Sequence, residues 1–179
     1  MSDQAISGSF TFTETSIEGV KVVDVKAYGD DRGYFMETYK RPGFIAGGID
    51  CELVQDNQSS STRGVLRGLH FQIEHPQAKL VRVVLGKIFD VAVDLRKDSP
   101  TFGRLEGVVL STENKRQFLF RAGLRTVSSF CLILPSFATS AMMSTVSTMK
   151  AASCGTTLLS GSSGQRSRAM LNSIRLRSS

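Results

Sequence analysis

The run Gly64-Val-Leu-Arg-Gly-Leu-His-Phe-Gln72 places an imidazole, His70, three residues after a guanidinium, Arg67. A free imidazole titrates near pH ~6.5, so at neutral pH it can accept a proton from carbon next to a carbonyl. Arg67 and Lys79 can supply fixed positive charge where the enolate oxygen would develop, which is usually the largest catalytic contribution. Strict strand alternation puts Arg67 and His70 on opposite faces. Gly64 and Gly68 are the positions where a bulge would bring them together.

Other polar residues admit plainer readings. Arg32 and Glu37 flank a short strand and read as solvated charges. Gln55-Asp56-Asn57 closes a strand and suits turn chemistry. His75 stands beside Pro76 in a loop and reads as exposed. Asp90 and Asp94 share one strand face and could orient an imidazole, or simply form a polar face toward solvent. With two histidines and no Cys-x-x-Cys pair among three cysteines, neither a histidine-rich metal site nor a disulfide framework is expected.

The elements needed to carry these residues are strands. Val20–Val25, Tyr34–Tyr39, Glu52–Gln58, Val65–Gln72, Lys79–Leu85, Ile88–Leu95 and Gly107–Ser111 are rich in β-branched or aromatic residues. Gly29–Gly33, Ser59–Arg63, Ile73–Ala78 and Asp98–Gly103 read as turns or loops. Pro42 and the glycines of Arg41–Gly48 allow only a short helix. Gly86-Lys87 suits a two-residue hairpin turn between its flanking strands. Many short strands between turn signals predict an all-β sandwich or barrel.

Composition narrows the function classes. The chain has 179 residues, with 41% hydrophobic and 21% charged residues, and no apolar run of membrane-spanning length. Met1–Phe10 is polar and carries no basic residue, so a cytoplasmic location is expected. The net charge of +6 is not a nucleic-acid signature. From Phe118 onward there are 7 basic residues and no acid, scattered among serines and alanines without stacking aromatics. The segment Met1–Gln117 holds 15 basic and 16 acidic residues, close to neutral.

Seven strings in order resemble the dTDP-4-dehydrorhamnose 3,5-epimerase family: Asp31–Thr38, Leu53–Asn57, Gly64–Gln72, Lys79–Val83, Ile88–Arg96, Ser99–Gly103 and Leu110–Arg116. They span roughly Ile17 to Leu119. The resemblance implies a cupin-type jelly roll of two antiparallel sheets, usually a homodimer, with no metal and no cofactor. It implies a dTDP-linked 4-keto-6-deoxy hexose as substrate, epimerised at C3 and C5 on the way to dTDP-L-rhamnose. By motif, His70 resembles the proton acceptor, while Arg67 and Lys79 resemble residues that hold the sugar and its enolate. Arg32, Glu37, Gln55, Asp56 and Asn57 resemble nucleotide-sugar contacts, Arg32 with its neighbours serving the partner subunit's site. Neither a membrane nor a nucleic-acid partner is expected. A related dTDP-keto-sugar ketoisomerase and a non-catalytic sugar-nucleotide-binding cupin are the competing readings.

The C-terminal third departs from this pattern. The family carries a donor tyrosine in a Tyr-Lys-Cys string, a histidine in an Ala-His-Gly-Phe string and a carboxylate paired with the catalytic histidine. This chain has no tyrosine after Tyr39, no histidine after His75, no acid after Glu113 and no tryptophan. Reading the tail from the third base of each codon permits the missing strings in order. With permitted codons, Leu119–Ser128 can spell Ile-Pro-Gly-Gly-Phe-Ala-His-Gly-Phe, the following codons permit Tyr-Lys-Cys, and Met149-Lys150 forces a glutamate. The expectation is a jelly-roll portion over residues 1–119 and an aberrant, out-of-frame tail over residues 120–179. Without a period-two pattern, that tail is expected to leave early strands unpaired and the chain prone to aggregation.

Overall fold

The computed structural model describes residues 4–67, 77–121, 126–127, 131–133 and 140–148. His70, His75 and most of the tail lie outside the described residues. The chain folds as fourteen described strands and one short helix: β1 (Gln4–Ser7), β2 (Phe10–Glu14), β3 (Val20–Val25), β4 (Ala27–Asp30), β5 (Gly33–Met36), α1 (Arg41–Ala46), β6 (Gln55–Thr62), β7 (Leu66–Arg67), β8 (Lys79–Leu85), β9 (Lys87–Asp94), β10 (Leu105–Ser111), β11 (Gln117–Phe120), β12 (Thr126–Val127), β13 (Cys131–Ile133) and β14 (Ser140–Ser147). Seven form one sheet in the order β1-β2-β3-β11-β8-β14-β6, and β10-β9-β13-β7 form a second, with β12 also on β9. The pairings are antiparallel. The all-β class and two-sheet architecture expected from the strand pattern are present.

Period-two alternation makes the seven-stranded sheet apolar on both faces. Its inner face sends Val20, Val81, Val83, Phe118 and Phe120 against Ile88, Ala92, Val108 and Leu110 of the second sheet. Its outer face sends Phe10, Phe12, Val23, Leu80 and Leu119 against Phe44 and Ile49. Pro42 lies at the start of α1, where its missing N–H costs nothing. The helix seats Phe44 edge-on against Phe10 and Phe12, with ring centroids 5.1 and 5.2 Å apart.

Two local readings are corrected. β8 and β9 do not form a hairpin: β8 pairs with β11 and β14, and β9 with β10, β12 and β13. Gly86, at φ +87°, is the corner where the chain leaves one sheet for the other. A Cβ there would lie 2.7 Å from the backbone oxygen of Ser140. Gly86→Ala is therefore expected to lose about 2 kcal/mol in chemical denaturation, from left-handed strain together with the clash. Ser59–Arg63 is not a loop up to Thr62, because β6 continues through it against β14.

The early strands are also not left open. β14 sits between β8 and β6, while β13 joins β9 to β7. Backbone ladders do not depend on side-chain identity, so serine, alanine and methionine can occupy a central strand if their polar atoms are met. Ser144 does this by donating to the Asp56 carboxylate at 2.5 Å.

Candidate functional site

Residues level with one another across a ladder share a face. One level of the seven-stranded sheet runs Val20, Phe120, Lys79, Ser147, Gln55, and another runs Val22, Phe118, Val81, Thr145, Asn57. Both contain core residues of the inner face, so Lys79, Gln55 and Asn57 look inward toward the second sheet. Gln55 donates to Asn57 Oδ1 at 3.1 Å, which joins the two amides. Asp56, between them, belongs to the opposite face with Val146 and Leu80 and is engaged by Ser144.

The second sheet supplies the facing groups. Phe89 and Leu66 are level through β13, so one step along sets Arg67 level with Asp90. Asp90 follows Ile88 and precedes Ala92 on the inward face of β9. Arg67 crosses to β6, donating from Nε to Ser61 Oγ at 2.6 Å and from Nη2 to the Ser60 carbonyl at 3.2 Å. Burial deepens from the edges inward: Asn57 and Arg67 are exposed, Gln55 and Lys79 are half-buried, and Asp90 is wholly buried.

Asp90 and Asp94 both point inward, which replaces the solvent-facing alternative. Their environments differ. Asp94 accepts from Arg96 Nε and Nη2 at 3.0 and 2.8 Å and from Ser99 and Thr101 hydroxyls at 2.6 Å each. The Arg96 guanidinium holds its carboxyl well below the usual carboxylate range, against the opposing effect of burial. Neither Asp90 oxygen has a side-chain hydrogen-bond partner among the described residues. Burial pushes its carboxyl well above the usual range, opposed in part by the Val91 backbone N–H and then by the Lys79 charge.

Of the expected site residues, Lys79, Gln55 and Asn57 share the inner face of one sheet, and Arg67, on β7 of the facing sheet, reaches β6 at Ser60 and Ser61. Arg32 does not join them. It lies at the β4–β5 turn with its side chain 89% exposed, held by Asp30. Glu37 faces Lys40 at 3.7 Å, also away from the inner faces. His70 lies outside the described residues. Ser61, the anchor of Arg67, was not expected as a site residue, although the small polar period Gln55, Asn57, Ser59, Ser61 was visible in the sequence. No cluster of three metal-ligating side chains occurs among the described residues. No helix among them is long and apolar enough to cross a membrane.

Comparison with known proteins gives one family. Residues 14–145 match the family described as dTDP-4-dehydrorhamnose 3,5-epimerase. A relative of that name from Methanothermobacter thermautotrophicus is 52% identical over 128 residues, covering 69% of this chain and 69% of the relative. Another from Pseudomonas aeruginosa is 54% identical over 112 residues, covering 62% of each. The chain thus spans about two thirds of the length of these curated relatives. Among solved structures, the Legionella pneumophila dTDP-6-deoxy-D-glucose-3,5-epimerase in complex with dTDP-4-keto-L-rhamnose superposes with a TM-score of 0.73 at 41% identity, covering 80% of this chain and 73% of that one. Ordered sequence strings, the two-sheet fold and these matches agree: the chain belongs to the dTDP-4-dehydrorhamnose 3,5-epimerase family.

Proposed function

We propose that this chain takes a dTDP-linked 4-keto-6-deoxy hexose between its two sheets and exchanges the protons at C3 and C5. The reading is supported by Lys79, Gln55 and Asn57 sharing the inner face of one sheet, with Arg67 of the facing sheet reaching β6 at Ser61, in a member of this family. Both carbons flank the C4 ketone, so removal of either proton gives an enolate. Reprotonation from the opposite side inverts the centre. His70 is the proton acceptor in this reading. Lys79 and Arg67 stabilise the enolate oxygen, and Gln55 and Asn57 hold the nucleotide sugar. Asp56, on the far face, contributes by bracing β6 through Ser144.

The family's donor tyrosine has no counterpart in this chain after Tyr39. An out-of-frame tail from about residue 120 accounts for this. The tandem Met142-Met143 strengthens that account, because AUG-AUG read from its third base can only spell aspartate. The chain acts as a homodimer in the cytoplasm, with Arg32 serving the partner's site. The exposed Tyr28, Tyr34 and Phe35 on the same hairpin are the surface that such a contact would cover.

Incubating the protein with dTDP-4-keto-6-deoxyglucose in heavy water tests the reading. Deuterium should enter at C3 and C5, and Lys79→Ala should slow its entry about 100-fold through loss of enolate stabilisation. Tight binding of the sugar nucleotide with no deuterium entry, even after restoration of the reading frame, would favour a non-catalytic binding cupin.

A further inference from the structure

We propose that Asp90 is a further ligand-contacting residue of this site, presenting its carboxyl to the hexose of the bound sugar nucleotide as a hydrogen-bonding partner. The inference rests on the sugar-nucleotide reading given above. Its basis is geometric. Asp90 stands on the inner face of β9, level with Arg67 and opposite Lys79, and is fully buried. Neither carboxyl oxygen has a side-chain hydrogen-bond partner among the described residues, and only the Val91 backbone N–H opposes its burial locally. A buried carboxyl without partners costs stability, since a lost hydrogen bond at a buried group forfeits its desolvation energy. Asp94, four residues along the same face, shows what a structural carboxylate looks like here: both of its oxygens are bound.

The charged groups around Asp90 determine its form. Lys79 faces it from β8 and favours ionisation. On β7, Arg67 is turned to Ser60 and Ser61 of β6. Glu106 of β10 shares the inner face near the sheet's end and accepts from Ser16. Asp94 on β9 itself is neutralised by Arg96. The facing positions of β6, β11 and β14 are Gln55, Asn57, Phe118, Phe120, Met143, Thr145 and Ser147, with no titratable group. Burial outweighs the facing cation among the described residues and favours the protonated carboxyl. In its protonated form the acid can donate to a keto or hydroxyl oxygen.

Binding of dTDP-4-keto-6-deoxyglucose and of dTDP alone, by calorimetry on the full chain, tests this. The preference for the sugar nucleotide over dTDP should fall about 10-fold in Asp90→Leu, the value of one hydrogen bond. It should stay within about threefold in Asp90→Asn, which keeps a donor. As pH rises and Asp90 ionises the wild-type preference should fall, whereas Asp90→Asn should show no such decline. Equal weakening of both ligands in Asp90→Leu, or the same pH profile in wild type and Asp90→Asn, would overturn the role of Asp90 and leave the sugar-nucleotide reading intact. Failure of the wild type to prefer the sugar nucleotide over dTDP would sink that reading, and this inference with it.

Discussion

Inserting one nucleotide near codon 119, which shifts the tail to the alternative frame, is expected to raise the rate of inversion at C3 and C5 by about 100- to 10,000-fold. Proton exchange at the same carbons should rise at least about tenfold less. The two steps place different demands on the site. Abstraction needs a base and positive charge at the enolate oxygen, and Arg67 and Lys79 both lie in the N-terminal two-thirds. Inversion also needs an acid on the opposite side of the sugar ring. No tyrosine follows Tyr39, and no histidine or acid lies in the tail to replace it. An enolate without that donor is reprotonated from the side it came from, which exchanges hydrogen without inverting the carbon. Product analysis by NMR separates the two readouts. Inversion by the unaltered chain as fast as its own exchange would show that some other group donates the proton, and the account of the tail would lose its functional consequence.

Much of this architecture was legible in the residues. Val20–Val25 forms β3 with the expected limits, and the alternation of Ile88–Leu95 gives the two faces of β9 as read. Local pattern sets which residues share a face. It does not set which sheet a strand enters, and for that reason the Gly86 turn was read as a hairpin. A glycine at positive φ serves a hairpin and a sheet-to-sheet corner equally well, and the choice lies in partners distant in sequence: β11 and β14 for β8, β10 and β13 for β9. Direction was illegible for a similar reason. A strand bearing Asp90 and Asp94 beside Ala92 reads as solvent-facing until Arg96, Ser99 and Thr101 are seen to satisfy one carboxylate. The strand nature of Ser59–Thr62 was hidden by weak β propensity, which the β14 ladder overrides.

Asp94→Ala should destabilise the fold by about 3–5 kcal/mol, because it leaves a partly buried guanidinium and two hydroxyls without their acceptor. At this chain length, that corresponds to a melting temperature lower by about 10 °C. The loss is large because one carboxylate organises the whole turn after β9. Besides the side chains, it accepts from the Arg96 backbone N–H at 2.9 Å, and the Asp94 backbone bonds Gly103 and Arg104 at 2.8 and 3.0 Å. The pH dependence follows from the lowered carboxyl. Its stabilisation is fully present above the unfolded value of about 3.9 and drains away as pH falls below it toward the folded value. Asp90 has the opposite sign. Its raised carboxyl contributes most below pH ~3.9, and that contribution is lost as pH rises toward the folded value. Denaturation curves between acid and neutral pH should therefore flatten on the acid side in Asp94→Asn, while Asp90→Asn should gain stability over wild type as pH rises to neutral. If both variants shifted in the same direction with pH, the assignment of one carboxylate to the scaffold and the other to the ligand would fail.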